Sequence, residues 1–99
     1  MTINKIMQHK KMIISLDGRL DANTAPELQN DLVTSFEKTT HITLDFTNLS
    51  YISSAGLRAL LAGHKTALSK NAEMILTGVS DEILEVLKMT GFSEFLTIE

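Results

Sequence analysis

Two adjacent hydroxyls are the groups in this chain best placed to do chemistry. Ser53 and Ser54 stand in the run Asp45-Phe-Thr-Asn-Leu-Ser-Tyr-Ile-Ser-Ser-Ala-Gly-Leu57, where a strand-like stretch gives way to a helix-like one. At a helix start four backbone N–H groups lack helical partners, and the helix dipole adds partial positive charge. A phosphate carried by a serine there would meet donors instead of repulsion. Serine is also a favoured cap, so a hydroxyl that only caps the helix is the simpler reading. Spacing alone leaves both readings open. Gly56, next in line, leaves room for another backbone or a ligand to approach.

Other chemistry finds little support. The glycines at 18, 56, 63, 78 and 91 build neither a Walker A loop nor a GxGxxG turn. No serine sits in a GxSxG elbow. His9, His41 and His64 are far apart and lack ligand-like spacing, so solvated or core-edge histidines are expected and no metal. Cysteine is absent, which excludes disulfides, thiolate metal sites and cysteine nucleophiles. No self-contained active site and no cofactor are expected, and the chain reads as a non-enzyme.

The formal net charge is -3 and the lysines are scattered, with no basic stripe and no tryptophan, so nucleic acid is a poor partner. Lys5, His9, Lys10 and Lys11 interrupt the N-terminal apolar residues before a signal-peptide core could form. No apolar run approaches the roughly 20 residues of a membrane span. A cytoplasmic protein without a membrane anchor is the expectation. With 99 residues, 43% of them hydrophobic, the chain suits one compact domain over 1–99.

The elements that must position the serines alternate between strand and helix, which predicts an α/β fold of one sheet with helices. Residues 2–8 and 11–17 read as two strands, able to form a hairpin across His9-Lys10 although the turn chemistry is weak. Met12, Ile14 and Leu16 fall on one face and Ile13 on the other. Residues 18–23 read as a loop with a strand remnant at Arg19-Leu20. Thr24-Ala25-Pro26-Glu27 fits a capping box, with Pro26 in the first turn. Leu28, Leu32, Val33 and Phe36 make the apolar stripe of a helix ending near Lys38. His41 to Phe46 alternates as a strand, followed by a turn at Thr47-Asn48 and the stretch Leu49–Ile52.

The second helix runs to about Ser69, with Leu57, Leu60, Leu61, His64 and Leu68 as its buried stripe. Met74-Ile75-Leu76 reads as a strand. Ser80 caps a third helix, with Asp81 and Glu82 favourably placed in its first turn and Ile83, Leu84, Val86 and Leu87 burying it. Gly91 ends that helix. Phe95, Leu96 and Ile98 suggest a last strand.

Three of these segments, in order along nearly the whole chain, resemble the STAS domain family, which includes bacterial anti-anti-sigma factors. Gly18-Arg-Leu-Asp-Ala-Asn-Thr-Ala-Pro-Glu-Leu28 is similar to the family's Gly-x-Leu/Ile-Asp segment. Asp45 to Arg58 is similar to its signature, which usually ends Asp-Ser-Ser/Thr-Gly-Leu. Thr90-Gly91-Phe92 is similar to the turn after its last main helix. The resemblance implies a single STAS-type domain, with a mixed sheet of about four to five strands and helices packed mainly on one face.

It also implies a mechanism. The unphosphorylated antagonist binds an anti-sigma factor that is also a serine kinase, which frees the sigma factor. Phosphorylation then releases the antagonist, and a serine phosphatase restores it. Aligned on Gly56, the phosphoserine position is Ser54. The partner surface implied comprises Asp21 and Asn23 from the loop before the first helix, with Ser53, Ser54, Ala55, Gly56 and Arg58. Asp21 and Asn23 are equally readable as a turn-stabilising pair, and Arg58 as a solvated surface charge. Asp45 reads as a strand-end residue that satisfies nearby N–H groups, and Tyr51 as half-buried packing. The chain departs from the family where Ser53 replaces the usual Asp. That makes Ser53 a rival acceptor and motivates an alternative: a constitutive STAS scaffold subunit of a stress-signalling or lipid-transport assembly. Nucleotide binding, sometimes suggested for the family, has no phosphate loop behind it here.

Overall fold

A computed structural model describes residues 1–99 and contains five strands and three α-helices. In chain order these are β1 (Thr2–Gln8), β2 (Lys11–Leu20), α1 (Ala25–Ser35), β3 (His41–Ile52), α2 (Ser54–Ser69), β4 (Glu73–Thr77), α3 (Asp81–Met89), a 3₁₀ turn (Phe92–Glu94) and β5 (Thr97–Ile98). The strands form one mixed sheet in the order β1-β2-β3-β4-β5. Only β1 runs antiparallel to its neighbour. Each of the three parallel connections carries a helix and steps the same way along the sheet. Right-handed crossovers in one direction place every helix on one face.

Burial follows that plan. Met12, Ile14 and Leu16 on β2, Ile42, Leu44 and Phe46 on β3, and Met74 and Leu76 on β4 are buried, while the residues between them are only half-buried. They join Leu28, Leu32, Leu57, Leu60, Ile83 and Leu87 from the helices in a single core of 22 residues.

The hairpin pairs Thr2 with Asp17 through Gln8 with Lys11, so its loop is the dipeptide His9-Lys10. Both residues have positive φ, 50° and 69°, as a type I′ turn requires. Neither is Gly or Asn, so the apolar register of the strands sets this turn and not its own residues.

Both β2 and β3 are longer than their hydrophobic patterns suggest. The expected turn at Thr47-Asn48 is a bulge inside a continuous β3: register passes from Ser15 opposite Asp45 to Asp17 opposite Asn48. Asp45 holds the bulge, since its Oδ1 accepts from the Thr47 amide at 3.0 Å and the Thr47 hydroxyl at 2.6 Å. The extra residue breaks the alternation and imitates a turn in the sequence. On β2 the pairing continues to Leu20 opposite Ile52, so the expected loop begins three residues late.

The helices also correct the expected stripes. Val33 is 38% exposed and Leu68 is 64% exposed, and neither belongs to the core. Leu61 and His64 are half-buried, and so are Leu84 and Val86 on α3. The buried side of α2 is made by small residues, Gly56, Ala59, Gly63 and Ala67, with Leu57 and Leu60. At Gly63 a methyl group would lie 2.7 Å from Leu32 Cδ1 and 3.0 Å from Met74 Sδ, so α2 sits close on both α1 and β4. α1 ends at Ser35, and turn bonds carry the chain on to Lys38. Phe95 follows the 3₁₀ turn and is 37% exposed, and the last strand is only Thr97–Ile98. Gly91, at φ 82°, closes α3 as expected.

A one-sided sheet makes neighbouring residues on β2 energetically unequal. Ile14→Ala should destabilise the protein by about 2–5 kcal/mol, the usual cost of a buried Ile truncation. Ile13→Ala, on the uncovered face, should cost less than about 1 kcal/mol. Urea unfolding of the two variants measures both, and equal losses would show that a second layer covers the sheet.

Candidate functional site

The candidate site forms where β2 and β3 end together. Leu20 and Ile52 are register partners, so the loop after β2 and the start of α2 leave the sheet side by side. The Ser53 amide donates to the Leu20 carbonyl oxygen at 2.9 Å and ties the two exits. One residue earlier, the Arg19 guanidinium lies 4.1 Å from the centre of the Tyr51 ring, a cation–π contact on the exposed end of the same strand pair. Tyr51 is 41% exposed, more open than the half-buried packing role expected of it.

The two serines have different jobs. Ser53 is the N-cap of α2, extended at φ -102° and ψ 176°, and its Oγ accepts from the Gly56 amide at 3.3 Å. Ser54 is the first helical residue, exposed, and its hydroxyl is not the one used for the cap. The capping reading and the free-hydroxyl reading therefore each find their own residue. Ser54 sits in the turn whose N–H groups are not all paired within the helix, so its oxygen lies at the positive end of the dipole.

Gly56 is buried and is no opening for an outside group. A methyl group there would lie 2.8 Å from Leu20 Cγ, 2.9 Å from Ile52 Cγ1 and 3.0 Å from the Leu20 carbonyl oxygen. The residue fits the first turn of α2 directly onto the ends of β2 and β3. Ala55 is half-buried beside it. Arg58 is exposed one turn on from Ser54, on the same helical face, and enters neither of the ion pairs Lys5–Asp31 and His41–Glu73.

Across the gap, the expected capping box at Thr24 is not formed. Thr24 is at the N-cap position of α1, but its hydroxyl makes no cap bond to the helix. Its Oγ1 donates to the Arg19 carbonyl at 2.8 Å and accepts from the Asp21 amide at 2.9 Å. Asp21 supplies the local order instead. Its Oδ1 accepts from the Asn23 amide at 3.0 Å and the Thr24 amide at 3.3 Å, and its carbonyl accepts from the Ala25 amide at 2.8 Å. The Asn23 amide above all holds the Asp21 carboxyl below its ordinary value of 3.8; burial opposes it, and the Thr24 amide and hydroxyl and the Arg19 charge each add a lesser lowering. Asp21 is thus the turn-stabilising residue, while the Asn23 side chain stands exposed beside it.

A shallow groove of about 500 Å³ runs between α1 and α2 from this point. Ala22, Pro26, Val33, Ala55 and Arg58 are among its walls. Sequence reading missed it. The available signal was Val33, an apolar residue one step off the buried phase of Leu28, Leu32 and Phe36. No three metal-ligating side chains come together anywhere in the chain, and no helix is long and apolar enough to cross a membrane.

This arrangement of sheet and crossover helices is that of a known family. The sequence matches the STAS domain over residues 2–99, and the chain belongs to that family. It is 32% identical over 100 residues to the anti-sigma-B factor antagonist of Staphylococcus aureus, covering 99% of this chain and 92% of that protein. It is 30% identical over 87 residues to the anti-sigma-B factor antagonist of Listeria monocytogenes, covering 87% of this chain and 76% of the relative. The fold also matches the anti-sigma factor antagonist SpoIIAA of Bacillus. Its unphosphorylated form superposes at a TM-score of 0.80 with 20% identity, over 99% of this chain and 87% of the other. The phosphorylated form gives 0.77 at 20% identity, over 99% and 91%.

Two measurements test the geometry. Ser53→Ala should cost about 1 kcal/mol through loss of the cap, whereas Ser54→Ala should stay within about 0.5 kcal/mol of the parent, both by urea unfolding. Asp21 titrates at a lowered value when folded, so its charge stabilises the fold above its unfolded value near 3.8, and that contribution disappears as pH falls through the folded value. Asp21→Asn keeps the turn without the charge. The stability gap between parent and Asp21→Asn should therefore be widest at neutral pH and close on acidification below about pH 4.

Proposed function

We propose that this protein is an anti-sigma factor antagonist switched by phosphorylation of Ser54. The observation that carries the reading is the division of the serine pair: Ser53 holds the helix, and Ser54 offers an exposed hydroxyl at the helix start. The curated relatives bear the name of anti-sigma-B factor antagonists, and a protein of the same fold is known in both unphosphorylated and phosphorylated forms.

In its unphosphorylated form the protein binds an anti-sigma factor that is also a serine kinase, and the sigma factor is freed. The contact surface is the strand-end apex: Asp21 and Asn23 on one side, Ser53 to Arg58 on the other. The kinase transfers the γ-phosphoryl group of ATP to Ser54 Oγ, leaving ADP and releasing the hydroxyl proton. The new group adds about 1.5 to 2 negative charges. Inside the protein it faces the positive end of α2 and leaves the fold intact. Inside the contact it must lose water or push the partner off. Each tenfold loss of affinity needs only about 1.4 kcal/mol. A serine phosphatase removes the group and resets the protein. The same charge on Ser53 would remove the α2 cap, which favours Ser54 as acceptor over its neighbour.

The test compares binding of the parent, Ser54→Ala and Ser54→Asp to the anti-sigma factor kinase, with intact-mass analysis and peptide mapping of protein from its own cells. Phosphate on Ser54, tight binding by Ser54→Ala and a loss of at least about a hundredfold for Ser54→Asp are expected, the last equivalent to about 2.7 kcal/mol. If Ser54→Asp binds as tightly as the parent and no phosphate is found under any stress condition, the switch is wrong. The constitutive scaffold, suggested by Ser53 in place of Asp, then takes its place.

A further inference from the structure

The sheet face opposite the helices carries a pattern with no role in the site described above. Register aligns one residue from every strand in a straight row across it: Ile6, Ile13, Thr43, Ile75 and Thr97. The row contains three isoleucines and two threonines. Ile6 is 53% exposed, and Ile13, Thr43 and Ile75 are half-buried. Since α1, α2 and α3 all lie on the other side, nothing in this chain covers the row.

Charge is sorted to the two sides of it. Toward the hairpin lie Lys11 and His41, with the His9-Lys10 turn beyond them, and only Glu73 opposes them, at 3.0 Å from His41 Nδ1. Toward the strand exits lie Asp45 and Asp17 on the same face. The face is therefore apolar along its middle, largely basic on one side and acidic on the other. A two-fold axis lying along the row would reverse the strand direction of a second copy. Apolar row would meet apolar row, His41 would face Asp45, and the His9-Lys10 turn would face Asp17, in both halves at once. A two-fold along the strands would instead place each charged row over its own copy.

We infer that this open face pairs with a second copy of the same chain, sheet on sheet, about the Ile6–Thr97 row. Two stacked sheets would sit about 10 Å apart. Five strands about 4.8 Å apart and four rows of side chains give about 400 Å² per copy. That lies below the standard interface of about 800 Å² per partner, so the dimer is weak and concentration-dependent. The serine apexes of the two copies point away from each other and stay free.

Sedimentation equilibrium of the full chain from micromolar to millimolar concentration tests this. A reversible monomer–dimer equilibrium is expected. Ile13→Lys should weaken it at least about tenfold, equivalent to about 1.4 kcal/mol. Ile6→Lys, at an edge position that cannot unfold the core, should do the same, with circular dichroism confirming both folds. Lys10→Glu and Asp17→Lys should each weaken the dimer, and the double variant should restore it because the exchange preserves the opposed charges. A chain that stays monomeric throughout leaves the face to solvent or to an unrelated protein and overturns the inference. So does a dimer indifferent to Ile6→Lys, or a double variant that fails to recover.

Discussion

The parallel pairing of β2 with β3 is the constraint from which the rest of the structure follows. Parallel neighbours need a crossover, and the crossover must be right-handed. Repeating that step twice more in the same direction stacks three helices on one side of the sheet, so a chain this short builds one core layer and leaves one face bare. The same pairing brings Leu20 beside Ile52 and makes the β2–α1 loop and the α2 start neighbours. Open α/β sheets present their functional groups outside the carboxyl ends of the strands, and this is where Asp21, Asn23 and Ser54 are found.

At the apex the residues that hold the backbone and the residues that face outward are different ones. Ser53 and Asp21 are committed to backbone amides, one at α2 and one before α1. Ser54, Asn23 and Arg58 are exposed around them. Charge can be added to the second group without dismantling the first. The α2 dipole then offsets part of the electrostatic cost within the protein, while nothing equivalent is guaranteed in a partner packed over the same place. An alteration that leaves the fold stable and makes an encounter unfavourable is what a reversible switch needs.

Much of this fold was legible in the residues. The alternation of Met12, Ile14 and Leu16, the Ser80 cap and the Gly91 stop all act as their types suggest. The Ser53-Ser54-Ala55-Gly56 run opens α2 as read. What could not be read has physical causes. The Asp45–Thr47 bulge interrupts alternation without interrupting the strand. On α2 the closest approaches are made by Gly56 and Gly63, which a hydrophobicity pattern ranks below Leu61 and Leu68. The Thr24 capping box was outcompeted by bonds from Thr24 back to Arg19 and Asp21. Which serine caps and which is free depends on helix phase by a single residue, finer than periodicity resolves.

The seating of Gly56 has one more consequence. With its Cα against Leu20 and Ile52, the first turn of α2 cannot peel away from the sheet without exposing the end of the core. A kinase of the kind proposed above would therefore meet a helix already wound, and could not draw this segment into the extended shape in which short linear motifs are read. It would have to recognise the folded apex as a whole, with the Asp21 loop that is distant in sequence beside it. A synthetic peptide spanning Leu49 to Arg58 would carry the Ser54 hydroxyl without that folded surface.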